Sequence, residues 1–156
     1  MKSVIIDTNI VISGLEALSG IGTPSKLQKD CAEILRLGQK GMFSLLMISD
    51  LKEQYEAIDK HRLEKGKPYN TFEMSEISKW MLSGRFGRRS VELPVTTNLK
   101  DGLFFHTHML QADYLVTEDR KVLNKNKRMQ IQRIALKPHE FLKEERQYKI
   151  PDKEGD

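Results

Sequence analysis

Short apolar runs rich in β-branched residues alternate along this chain with stretches of helical periodicity, and that alternation leaves few folds open. Ser3–Ile6 (SVII), Met42–Ile48 (MFSLLMI), Asp113–Thr117 (DYLVT) and the weaker Ile131–Leu136 read as buried strands. Val91–Val95, interrupted by Pro94, follows the Gly84–Ser90 segment as a short third strand or an extended piece. Between them, Ser25 caps a helix through Leu37 with Leu27, Cys31, Ile34 and Leu35 on one face and Gly38 as its stop. Ser49 or Asp50 caps a helix carrying Leu51, Tyr55 and Ile58, and Thr71 caps another through about Leu82. Asn98–Gln111 is helical, with Leu103, His106, Met109 and Leu110 on one side, and Pro138 opens a last helix at a favoured first-turn position. Strands alternating with amphipathic helices predict an α/β fold whose mainly parallel sheet is covered on both faces. Residues 1–147 form one domain in this reading, and 148–156 a charged tail.

In such sheets functional groups gather beyond the carboxyl ends of the strands, and two strands end there in acid with similar wording. SVII runs into Asp7-Thr8-Asn9, and YLVT into Glu118-Asp119. Asp101, at the start of the helix before the second of these strands, and Glu53, one turn into the helix after Met42–Ile48, can converge on the same edge. Carboxylates crowded together repel one another unless a cation stands between them, and oxygen-only ligands suit Mg²⁺ or Mn²⁺. One or two such ions suit hydrolysis of a phosphodiester. Each acid also has a plainer role. Asp101 fits a helix N-terminal acid, and Glu53 a solvent-facing partner of nearby lysines. Glu118 can share or replace the role of Asp119. Asp113 begins its strand at the opposite edge and is structural. Asp7, directly ending a buried strand with no local partner, is the hardest to account for by structure alone.

These segments resemble the PIN (PilT N-terminal-like) domain nucleases. The resemblance rests on VIIDTNIVISG at 4–14, ADYLVTEDRKVL at 112–123 and KDGLFFHTHMLQ at 100–111, and it spans about residues 1–142. It implies a three-layer α/β/α sandwich and a metal-dependent ribonuclease cutting single-stranded RNA. Carried over, Asp7, Asp101 and Asp119 are the first, third and fourth acids and the metal ligands. Asn9 supports the first acid, and Thr117 is the Thr or Ser preceding the last. Glu53 in Leu51-Lys52-Glu53 matches the second acid, although Gln54 stands where the family has an apolar residue; Asp50 and Glu56 are its alternatives. Lys100 stands where the family often has a further acid, which leaves a one-metal site open beside a two-metal one. Many members resemble toxins of toxin–antitoxin pairs, so the resemblance also implies an antitoxin protein and a homodimer.

Composition bounds the partners. The 26 Lys and Arg against 22 Asp and Glu give +4 and a pI near 9.1, compatible with a polyanion. Basic residues cluster at Arg85–Arg89, where Phe86 can stack on a base, and at Arg120–Arg128. Arg120 and Lys121 follow Asp119 directly and are the candidates to hold an RNA backbone. His106 reads as core, and His108 lies opposite. Met42, Met47, Met81 and Met109 read as packing and Trp80 as part of a helix face. No apolar run approaches the roughly 18 residues of a membrane span, and the acid in MKSVIID argues against a secretion signal. Single Cys31 excludes an internal disulfide. A cytoplasmic protein follows. A haloacid-dehalogenase-type phosphatase needs a second acid where Asn9 stands, and a receiver domain lacks its paired acids. The remaining rival is a PIN-like module that binds RNA or a protein without cutting.

Overall fold

The structure is a computed structural model that describes residues 1–47, 49–66, 71–83, 85–86, 112–128 and 135–154. Its strands are β1 (Ser3–Ile6), β2 (Ser44–Met47), β3 (Arg85–Phe86), β4 (Tyr114–Val116) and β5 (Ala135–Leu136). Its helices are α1 (Thr8–Leu18), α2 (Lys26–Gln39), α3 (Ser49–Glu64), α4 (Phe72–Leu82), α5 (Arg120–Arg128) and α6 (Pro138–Glu154). The strands form one sheet in the order β3-β2-β1-β4-β5, and every neighbouring pair is parallel. The chain is thus a three-layer α/β/α sandwich, as the alternation of elements requires. Among the described residues no helix is long and apolar enough to cross a membrane.

β1 is the central strand and its Val4, Ile5 and Ile6 are fully buried. It pairs with β4 through Val4–Tyr114, Ile5–Leu115 and Ile6–Val116. A continuous apolar run suits a strand covered on both faces, where alternation would bury polar groups. From β1 the connections step outward to β2 and β3. The chain then returns to β4, on the other side of β1, and continues to β5. The crevice between the carboxyl ends of β1 and β4 is therefore the point at which the order reverses, the usual ligand position of an open parallel sheet.

The end of α2 corrects the sequence expectation. Gly38 does not stop the helix; it lies inside it, where a Cβ would stand 2.2 Å from the Trp80 ring and 2.8 Å from Phe43. Tertiary packing has overridden the usual role of glycine as terminator. The stop is Gly41, in the left-handed region at φ 82°. Met42 N–H donates to the Leu37 carbonyl (3.0 Å) and Gly41 N–H to that of Gly38 (2.9 Å), the paired bonds of a Schellman ending. At the other end Ser25 and Gln28 form a reciprocal capping box. Thr71 caps α4 as expected, accepting from Met74 N–H at 3.1 Å.

Other boundaries also differ. The third strand is Arg85–Phe86, within the segment expected to precede it; paired with Leu46 and Met47, it is too short to leave a periodic signal. Strand Val91–Val95, the helix 98–111 with His106, His108 and Met109, and residues 131–134 lie outside the described residues. α6 runs to Glu154, past the expected start of the tail at Tyr148 and through Pro151, a residue that ordinarily breaks a helix interior. Leu27 and Met42 are exposed rather than packed: one lies a turn ahead of Cys31, where the buried stretch of α2 begins, the other in the turn after Gly41.

Near the amino ends of the strands the core is aromatic. Phe141 of α6 stands edge-on to Phe43 (centroids 5.4 Å, 89° between planes) and to Tyr114 (5.8 Å, 80°), and Phe43 to Trp80 (6.1 Å, 74°). Asp113 belongs to this end. Its carboxylate accepts from Ser3 N–H at 2.7 Å and its own N–H donates to the Ser3 carbonyl at 2.9 Å, a structural role.

Candidate functional site

One residue joins β1 to α1, and that residue is Asp7. Its backbone is extended (φ −65°, ψ 144°), the conformation of a helix N-cap, and its carbonyl accepts from Ile10 and Val11 N–H at 3.0 and 3.4 Å. An N-cap aspartate ordinarily spends its carboxylate on the first turn of its helix. Asp7 does not: no side-chain capping bond is made. The carboxylate instead accepts from the Thr117 hydroxyl at 2.8 Å, across the β1–β4 crevice. Both residues are buried, Asp7 at 4% exposure and Thr117 at 1%.

Thr117 also carries Asp119. Its Oγ1 accepts from Asp119 N–H at 3.1 Å while donating to Asp7, so one hydroxyl ties the two strand-end acids together. Asp119 differs from Asp7 in its duty, because its Oδ1 caps α5 by accepting from Val122 N–H at 3.1 Å. Glu118 is half-buried and acts on the Cys31 thiol of α2, which is pushed up to about 12, first by burial and then by Glu118 and Asp30. Arg120 and Lys121 open α5 immediately beyond Asp119, and both are exposed.

The remaining acids and supports do not all arrive. Glu53 lies on α3 with its side chain exposed, as does Glu56; Asp50 lies in the first turn of the same helix. Asp101 lies outside the described residues. Asn9 is exposed in the first turn of α1 and makes no hydrogen bond to Asp7; the support comes from Thr117. Among the described residues no group of three or more His, Cys, Asp or Glu side chains is placed to hold a metal ion.

α3 reaches the site through Gln54 and Tyr55, neither of them a site residue in the sequence reading. Tyr55 donates its hydroxyl to the carbonyl of Ile6, and Gln54 accepts from the Thr8 hydroxyl, so consecutive residues of α3 hold the chain on either side of Asp7. Burial, and then the charge of Asp7, push the Tyr55 phenol well above its ordinary value, so it remains a donor at neutral pH. Helical spacing marked Tyr55 as core, and only the fold shows what its hydroxyl meets.

Asp7 is a carboxylate almost withdrawn from water whose side chain receives one hydrogen bond from the described residues. Burying such a charge is costly unless positive charge or further donors compensate it. The positive end of α1 supplies part of that compensation. Comparison with protein-family models, curated proteins and solved structures matches none of them.

Proposed function

We propose that the chain is a metal-dependent endoribonuclease that hydrolyses phosphodiester bonds of single-stranded RNA. The observation that carries this reading is the carboxylate of Asp7: buried at the switch point of the sheet, withheld from capping its own helix, and joined through Thr117 to Asp119. The sequence resemblance to PIN nucleases supports the same assignment. Asp7 and Asp119, together with Asp101, are the residues that would hold Mg²⁺ or Mn²⁺, whose charge polarises phosphate oxygens and water. Thr117 fixes the orientation of Asp7 and spaces it from Asp119. Arg120 and Lys121, exposed beside Asp119, hold the phosphate backbone in register with the acids.

One observation favours a second reading, a module that binds RNA without cutting it. Glu53 is exposed, and the described residues assemble no three-acid group. Incubating single-stranded RNA with the protein in Mn²⁺, in Mg²⁺ and in EDTA separates the two. Cleavage in either metal that EDTA abolishes is the expected result; RNA retained but uncut in all three establishes the second reading.

Replacing Arg120 and Lys121 together by alanine weakens RNA binding and lowers the slope of log K against log salt by about 0.7 for each phosphate that is no longer neutralised. Both side chains are exposed, so stability changes by no more than about 0.5 kcal/mol. Binding titrations at three salt concentrations check this, and an unchanged slope removes the two residues from the RNA path.

A further inference from the structure

We infer that Gln54 and Tyr55 of α3 are positioning residues for Asp7, a role that rests on the reading of Asp7 as the working carboxylate. The peptide joining Ile6 to Asp7 is fixed through both of its polar groups. Its carbonyl receives the Tyr55 hydroxyl, and its N–H donates to the Val116 carbonyl of β4 at 3.0 Å. The next side chain, Thr8, donates to Gln54. With Thr117 holding the carboxylate itself, Asp7 is tied to β4 on one side and α3 on the other.

The arrangement is specific to this turn. β1 ends at Ile6 and α1 begins at Thr8, so this short join must place a buried carboxylate. Tyr55 is buried and its ring packs in the core; its hydroxyl reaches the one carbonyl that precedes Asp7. Gln54 is half-buried, and its Oε1 is engaged by Thr8 rather than by its own helix. Glu53, one residue earlier and turned by about 100° around α3, is exposed. The part of α3 that serves the site is therefore this neutral pair, which fixes Asp7 without adding negative charge beside it.

The probe is Mn²⁺ alone, titrated into the full chain by calorimetry, with thermal unfolding recorded for each variant. Thr8→Val removes the donor to Gln54 at nearly constant shape, Thr8→Ser keeps it, and Tyr55→Phe removes the hydroxyl while keeping the ring. Groups that orient a metal-binding side chain are typically worth about tenfold in metal affinity. Thr8→Val and Tyr55→Phe are each expected to weaken Mn²⁺ binding by about that factor, with Thr8→Ser matching the wild type. The comparison of valine with serine keeps the test sound even where Tyr55→Phe fails to fold. Wild-type affinity in a folded Thr8→Val chain overturns the positioning role and leaves the site reading in place. A wild-type chain that binds no Mn²⁺ overturns the site reading, and the positioning role with it.

Discussion

Asp7→Asn is expected to abolish RNA cleavage, by on the order of a hundred- to a thousandfold or more, in a protein that is at least as stable as the wild type. The two halves of this result come from the same geometry. Asparagine has the shape of aspartate and keeps an oxygen that can accept from the Thr117 hydroxyl, so the tie between β1 and β4 survives. What disappears is a negative charge at 4% exposure, with one hydrogen bond from the described residues to offset its lost hydration. Removing an under-compensated buried charge is neutral or stabilising. A structural aspartate behaves in the opposite way: its loss costs stability and leaves any activity per folded molecule intact. Thermal unfolding and a cleavage assay on the same preparation decide the matter. A variant that cuts like the wild type, or one that melts at a clearly lower temperature with its cleavage intact, returns Asp7 to the role of a structural residue.

Asp7 is legible in the sequence because it directly ends a buried apolar run; that α1 begins at the next residue and that Asp7 leaves its first turn uncapped is visible only in the fold. Thr117 was legible only through its place before Glu118-Asp119; that its hydroxyl bonds to Asp7, 110 residues away, depends on β1 and β4 being neighbours, which no periodicity encodes. Glu53 was the natural acid to choose on α3 from its Leu-x-Glu setting. The phase of that helix against the sheet brings Gln54 and Tyr55 to the site instead, and a displacement of one residue turns a side chain by about 100°. Gly38 misled for a different reason. Local propensity marks glycine as a terminator, whereas here the missing side chain makes room for Trp80. Patterns within one element were readable; contacts between elements set the rest.

Phe141→Ala should produce the largest loss of stability, about 3–5 kcal/mol. Phe141 is fully buried in α6 and joins Phe43, ahead of β2, to Tyr114 at the start of β4. Truncation removes the ring's own burial, opens a cavity beneath α6 beside Phe43 and Tyr114, and breaks two edge-to-face pairings worth about 0.5–1.5 kcal/mol each beyond area. A domain of this length commonly has 5–15 kcal/mol in total, so the variant is left with a thin margin and melts roughly 6–20 °C lower. Phe141→Leu refills most of the space and should cost distinctly less. The aromatic group sits at the amino ends of the strands, whereas Asp7, Thr117 and Asp119 lie beyond their carboxyl ends, so the two regions stand at opposite ends of the sheet. Well below its melting temperature, Phe141→Ala is therefore expected to bind Mn²⁺ and RNA as the wild type does. Weakened binding in a chain that circular dichroism shows to be folded would mean that the packing of α6 governs the crevice between β1 and β4, and that the site is less insulated from the core than its position on the sheet implies.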